Sequence, residues 1–151
     1  MGGEIQMIKA YLDTNVLVDY FAQRQNFFVD ATTIVSLAIN KKIKLYVAAM
    51  SFATASYLME KHYHNNTAAI KLAISSFIKY CDVTVVDRTT IETSIASAFE
   101  DFEDGMQNAC AIECKADYIV TRNVDDFEAS TLKVVTPTEF LNILISPPSI
   151  Q

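Results

Sequence analysis

Apolar and polar positions along this chain follow two alternating rhythms. Residues 7–12 form a short apolar run of strand length, and residues 43–48 form a second. Between them Phe27, Ala31, Ile34, Val35, Ala38 and Ile39 recur at helical spacing, and Asn40-Lys41-Lys42 ends that helix. Residues 52–59 again read as helical. Asn65-Asn66 breaks the pattern, and Thr67 can cap a helix carrying Ile70, Ile74, Phe77 and Ile78. Further on, residues 82–86 read as a strand and 89–99 as a helix. Residues 104–116 follow as a helix, and 118–121 and 132–135 as strands. Pro137 opens a last amphipathic helix with Phe140, Leu141, Leu144 and Ile145 on its apolar side. Five short strands separated by helices predict an α/β fold whose mainly parallel sheet is covered on both faces. Right-handed crossovers assemble such a chain into a three-layer α/β/α sandwich. No repeat, low-complexity stretch or linker interrupts it. The expectation is therefore one domain over residues 1–151, with loose termini at 1–6 and 147–151.

Carboxylates stand where this pattern changes from strand to helix. Asp13 ends the first strand, and Asn15 lies in the first turn of the helix that follows. Ligands of open α/β sheets gather at the carboxyl ends of strands, so an Asp delivered there points to a polar site. The plainer alternative is that Asp13 caps the helix, since Asp is among the best N-cap residues. Asp101-Phe102-Glu103-Asp104 precedes a later helix, and Thr121-Arg122-Asn123-Val124-Asp125-Asp126 follows the fourth strand. In a doubly wound sheet the ends of strands one and four flank the reversal of strand order. Asp13, Asn123 and Asp126 are expected to converge there, with Asp104 aimed at them from a helix N-terminus.

Convergent carboxylates repel, by roughly 4 kcal/mol for a pair about 4 Å apart at an effective dielectric near 20. Such a site persists when a cation neutralises it or when protons are retained. Oxygen-only ligands favour Mg²⁺ or Mn²⁺ over zinc, and a hydrated ion of this kind activates water and steadies a leaving oxygen in phosphodiester cleavage.

Composition narrows the function classes. The formal charge of −6 argues against a simple electrostatic binder of nucleic acid, so a polyanionic substrate would need a divalent metal to supply positive charge. Lys41, Lys42, Lys44 and Arg122 add local attraction at most, a lysine run being more often a solvated turn. Arg24 reads as a surface arginine, and His62 and His64 as exposed residues. Tyr57 and Tyr63 read as core or rim aromatics rather than base-stacking platforms. The three cysteines, Cys81, Cys110 and Cys114, read as reduced thiols of a cytoplasmic protein. The first residues lack the regions of a signal peptide, and no apolar run approaches the ~20 residues of a membrane span.

The three strings Tyr11-Leu-Asp-Thr-Asn-Val-Leu-Val-Asp-Tyr-Phe21, Asp101-Phe-Glu-Asp-Gly-Met-Gln-Asn-Ala-Cys-Ala111 and Ile119-Val-Thr-Arg-Asn-Val-Asp-Asp-Phe127 resemble, in order and spacing, the recurring blocks of PIN-domain proteins. That family includes the ribonuclease toxins of VapBC toxin–antitoxin pairs. The resemblance implies a PIN-like fold and a Mg²⁺- or Mn²⁺-dependent endoribonuclease acting on single-stranded RNA, with an antitoxin protein and a homodimer as implied partners. It makes Asp13 and Asp104 the metal-binding acids and Asp101 a supplementary acid. Asp126 matches a frequent downstream acid, while Asn15, Thr121 and Asn123 position water or substrate. One departure stands out. The family's usual Glu on the helix after the second strand is replaced by Ser51-Phe52-Ala53-Thr54-Ala55-Ser56-Tyr57, which contains no acid. Glu60 is six residues from Thr54, a rise of ~9 Å and a net rotation of about 240°, so it points elsewhere.

The missing Glu motivates a second reading, a degenerate PIN domain that binds RNA or a protein without cutting. In a third, Asp87 is the phosphate acceptor of a receiver-like domain, but Val134-Val135-Thr136-Pro137 offers no lysine at the fifth strand end.

Overall fold

A computed structural model describes residues 7–145 of the chain, so the termini expected to be loose lie outside the described residues. The elements run β1 (Ile8–Leu12), α1 (Thr14–Ala22), α2 (Phe28–Ile39), β2 (Ile43–Ala48), α3 (Ala49–Lys61), α4 (Thr67–Phe77), β3 (Asp82–Thr84), α5 (Arg88–Ala96), α6 (Phe102–Glu113), β4 (Tyr118–Val120), β5 (Lys133–Val135) and α7 (Pro137–Ile145). Short 3-10 turns occupy Ile78–Tyr80 and Val124–Phe127. The strands lie in the order β3-β2-β1-β4-β5, and every pairing is parallel. β1 is central, with Ala10 opposite Leu45 on one side and Tyr118 on the other.

Period-two alternation along the central strands creates the three layers. Ala10 and Leu12 of β1, with Ile43, Leu45 and Val47 of β2, face one apolar cluster. Its other members come from α1, α2, α3, α4, α7 and β4 and include Val16, Ile34, Ala55, Phe77, Phe140 and Val120. Tyr11, Tyr46, Ala48 and Ile119 point the opposite way, against Cys110 and Ala111 of α6 and Phe127. The sheet is thus buried on both faces, which explains why β1 and β2 read as near-continuous apolar runs.

Several boundaries differ from the sequence expectation. Asn66 rather than Thr67 caps α4, its side-chain carbonyl accepting from the Ala69 N–H at 2.8 Å. Helix α6 begins at Phe102 because Asp101 accepts from the Asp104 N–H at 2.9 Å and so nucleates the turn earlier. Helix α3 starts directly after β2 with no side-chain cap at Ala48, which left its first turn without a sequence signal. Strands β3 and β5 are only three residues long. Phe27, counted on the apolar stripe of α2, is instead its exposed N-terminal flank.

Gly105 lets α6 approach α5 closely. A Cβ at Gly105 would stand 2.3 Å from Ser94 Oγ, 3.2 Å from Ser97 Oγ and 3.4 Å from Phe99 Cβ. The Ser94 hydroxyl cannot swing away freely, since it is buried and donates to the Phe102 carbonyl at 2.8 Å. Gly105→Ala is therefore expected to lower stability by about 1–3 kcal/mol through overpacking, despite Ala's better helix propensity. Urea denaturation checks this. Adding Ser94→Ala should recover part of the loss, and a Gly105→Ala protein as stable as the parent would refute the close-approach argument.

The thiols behave as small buried groups. Burial pushes Cys81 up to about 12 and Cys114 up to about 11, so both are protonated at neutral pH. No helix among the described residues is long and apolar enough to cross a membrane.

Candidate metal centre at the carboxyl ends of the strands

Asp13 sits where β1 meets β4. Its backbone N–H donates to the Val120 carbonyl at 3.0 Å, and the neighbouring Thr121 N–H donates to Val135 at 2.9 Å. The carboxyl ends of β1, β4 and β5 are thereby joined at the reversal of strand order. The capping reading of Asp13 holds in the structure. It occupies the N-cap position of α1, where Oδ1 accepts from the Thr14 N–H at 2.8 Å. Its Oδ2 accepts from the Thr121 hydroxyl at 2.8 Å and from Asn15 Nδ2 at 3.1 Å. Burial raises its pKa above the ordinary value, against the lowering effect of the Thr121 and Thr14 hydrogen bonds; Glu103 and Asp126 add repulsion.

Asn15 and Thr121 form a small lock around this carboxylate. Asn15 Nδ2 also reaches Thr121 Oγ1 at 3.5 Å, and Asn15 Oδ1 accepts from the Arg122 N–H at 3.4 Å. Asn123 is exposed and takes part through its backbone, its N–H donating to Thr121 Oγ1 at 3.0 Å. Asp126 is exposed on the 3-10 turn Val124–Phe127.

Helix α6 supplies the second acidic group. Asp101 is its cap, and Glu103 and Asp104 lie in its first turn, where the helix dipole favours negative charge. The dipole does not offset the crowding. Partial burial, followed by the charges of Asp101, Asp13, Asp126 and Glu103, pushes Asp104 up to about 7. Asp104 and Asp101 open onto a cleft of about 520 Å³ that also includes Glu100, Asp125, Asp126 and Glu128. A larger cavity, about 860 Å³, lies at the opposite end of the sheet among Lys9, Lys44, Lys115 and Lys133 and takes no part in this cluster.

The raised Asp104 pKa sets a sign for pH dependence. The folded state holds this proton more tightly than the unfolded chain does. Its stabilising contribution is therefore full below pH 3.8, the ordinary value, and is lost as pH rises through about 7. Metal-free protein is expected to melt at a lower temperature at pH 8 than at pH 5, and Asp104→Asn should flatten that slope. A slope unchanged in the Asn variant would contradict the crowding.

The donor set suits a hard, hydrated cation. Asp13, Asp101, Glu103, Asp104 and Asp126 act on one another electrostatically, and none is ion-paired with Lys or Arg among the described residues. Among those residues no three Asp, Glu, His or Cys side chains gather tightly enough to enclose an ion unaided. The convergence expected from the sequence is thus looser than a cage. Asp13 and Asp104 are hard oxygen donors, the type that Mg²⁺ takes one or two of while keeping water in its remaining positions. The helix after β2 adds no acid: Thr54 is exposed on α3, and Glu60 is exposed beside Lys61 at 3.9 Å.

Two groups of residues escaped the sequence reading. Gln107, fully buried on α6, accepts from the Tyr11 hydroxyl and donates through Nε2 to Thr14 Oγ1 at 2.7 Å and Ser51 Oγ at 3.1 Å. The Thr14 and Ser51 hydroxyls are 2.7 Å apart. Asp19, given no role of its own in the sequence reading, is 1% exposed and receives Arg122 Nε at 2.7 Å and Nη2 at 3.2 Å. The polar pair Gln107-Asn108, set between Met106 and the run Ala109-Cys110-Ala111, was the one available signal for the first group.

Comparison with known proteins agrees with this fold. A family model described as a PIN domain matches residues 9–125. A toxin–antitoxin complex from Klebsiella pneumoniae is similar with a TM-score of 0.62 and 21% identity, over 85% of this chain and 97% of that one. FitAcB from Neisseria gonorrhoeae gives a TM-score of 0.63 at 17% identity, over 85% and 98%. PAE2754 from Pyrobaculum aerophilum gives 0.62 at 12% identity, over 92% and 91%. At these identities the likeness is one of fold. No curated protein matches the chain in sequence.

Proposed function

The chain belongs to the PIN-domain family, and from that premise we propose that it is a metal-dependent endoribonuclease cleaving phosphodiesters of single-stranded RNA. The observation that carries this reading is the pair Asp13 and Asp104, crowded by further acids and lacking any cationic partner among the described residues, at the reversal of strand order. Asp13 and Asp104 would hold Mg²⁺ or Mn²⁺. When bound, such an ion supplies an acidified water and a positive charge beside the phosphate oxygens.

The chain's own residues do the rest. Thr14 N–H, Thr121 and Asn15 hold the Asp13 carboxylate in one orientation, which spares the site reorganisation during the reaction. Asp104, about half protonated near pH 7 in the absence of a cation, releases that proton when positive charge arrives. Asp101 and Asp126, at the cleft, accept or relay protons through water, and the exposed Asn123, next to Thr121, offers a polar contact for substrate. One of the similar structures, from Klebsiella pneumoniae, is a toxin–antitoxin complex by its description, which supports an antitoxin as protein partner. A homodimer and a cytoplasmic location, in keeping with three free thiols, complete the reading.

A second reading is favoured by one observation, the exposed Thr54 where the family carries Glu. In it the domain holds RNA or a protein without cutting. Incubation with a labelled single-stranded RNA separates the two. Cleavage that appears with Mn²⁺ and stops with EDTA supports the ribonuclease. RNA retained intact at millimolar Mn²⁺ supports the second reading.

A further inference from the structure

We propose that Arg24 and Arg122, held by Asp19 and flanked by Phe27 and Tyr63, form a binding subsite for a single strand of RNA beside the acidic centre. The inference rests on the ribonuclease reading for the identity of its ligand. Asp19 lies four residues after Asn15 on α1, so the two share one side of the helix, about 6 Å apart along its axis. Asn15 grips Asp13, and Asp19 grips the arginines. One face of α1 thus serves both places.

Charge and geometry point the same way. Asp19 is 1% exposed, and a carboxylate so buried persists only when paired. Arg122 engages it in a two-pronged contact, and Arg24 adds Nη1 at 3.5 Å. Two guanidinium groups on one carboxylate leave a unit of positive charge, in a chain of −6 with only three arginines in all. The third, Arg88, pairs with Glu92 on α5. Donors remain on both groups, since neither Arg122 Nη1 nor Arg24 Nη2 has a hydrogen-bond partner among the described residues. Neither arginine neutralises Asp13 or Asp104, so their charge is kept for something else.

Each arginine also carries an exposed aromatic ring. The Arg122 guanidinium lies 4.1 Å from the centre of Phe27, and Arg24 donates Nε to the Tyr63 hydroxyl at 2.8 Å. Phe27 is 41% exposed and Tyr63 39%. Phosphate-binding guanidinium groups beside open ring faces are the pairing that single-stranded nucleic acids use, with backbone on charge and bases on rings. An acidic peptide would use the arginines and leave the rings idle.

The test is fluorescence anisotropy of a labelled 12-nucleotide single-stranded RNA on the full chain carrying Asp104→Asn, in EDTA and over a range of salt. Arg24→Ala is expected to weaken binding about tenfold and to reduce the slope of log affinity against log salt by roughly 0.7, the value for one lost phosphate contact. Phe27→Ala and Tyr63→Ala should each weaken binding about tenfold with the slope unchanged. Arg122→Lys, which keeps the charge over Asp19, serves where Arg122→Ala fails to fold, and should bind several-fold more weakly. Equal affinity and slope in Arg24→Ala and Tyr63→Ala, tighter binding of duplex RNA, or no binding by the parent would each overturn the subsite. Cleavage of the same strand by the unsubstituted protein with Mn²⁺ is measured alongside. Cleavage without arginine dependence overturns the subsite and leaves the ribonuclease. Arginine- and ring-dependent binding without cleavage does the reverse.

Discussion

Asp13→Asn is expected to lower Mn²⁺-dependent RNA cleavage by at least about a hundredfold, or roughly 2.7 kcal/mol of barrier, while the protein melts at or above the temperature of its parent. The two effects have one origin. The Asp13 carboxylate is buried, and desolvation outweighs the hydrogen bonds from Thr121 and Thr14, so its charge is a cost to the folded state. Asn removes that cost and can still accept from the Thr14 N–H as the cap of α1. It cannot supply the negative oxygen that a hard cation requires. A site destabilised for function and relieved by its neutral isostere is the usual form of the trade between stability and activity. Cleavage of a labelled RNA and thermal melting on the same preparation decide the matter. An active Asn variant removes Asp13 from the chemistry; an inactive one that melts well below the parent makes Asp13 a structural residue instead.

The second large effect is expected at Gln107. This side chain ties α6 to α1 and α3, one helical turn beyond Asp104 and directly against the neighbour of Asp13. Gln107→Met keeps most of the volume but leaves the Tyr11 hydroxyl without its acceptor and the Thr14–Ser51 pair without its donor. Orphaning these buried groups is expected to cost about 1–3 kcal/mol. Gln107→Ala adds a cavity and should cost about 3 kcal/mol or more. Because the network sets the spacing between Asp13 and Asp104, Gln107→Met should also weaken Mn²⁺ affinity by roughly ten- to a hundredfold, as supporting residues of metal sites do. Urea denaturation and Mn²⁺ titration check both halves. A Gln107→Met protein with the parent's stability and metal affinity would show the network to be incidental.

Much of the fold was legible because local pattern and global packing agree in this chain. The apolar runs of β1 and β2, buried on both faces, could be read directly, and β2 occupies the stretch expected. Asp13 and Asp104 stood out because each lies at or just inside the start of a helix. The limits of legibility are equally physical. Gln107 is joined to residues 93, 56 and 96 positions away, and no local rhythm reports a hydrogen bond between three segments. Arg24 was read as a surface arginine and Tyr63, 39 positions on, as a core or rim aromatic, since their meaning lies in the contact between them. The start of α3 follows a strand with no capping side chain, so propensity could not locate it. The looseness of the acidic cluster, in which no three acids among the described residues gather tightly enough to enclose an ion, was beyond any reading of spacing.

The most direct test of the metal centre is the position of Mn²⁺ located by anomalous scattering in crystals soaked in the ion. A single ion is expected at about 2.1 Å from an oxygen of Asp13 and from an oxygen of Asp104. Mn²⁺ found only among Asp125, Asp126 and Glu128, or none at millimolar concentration, would contradict the assignment.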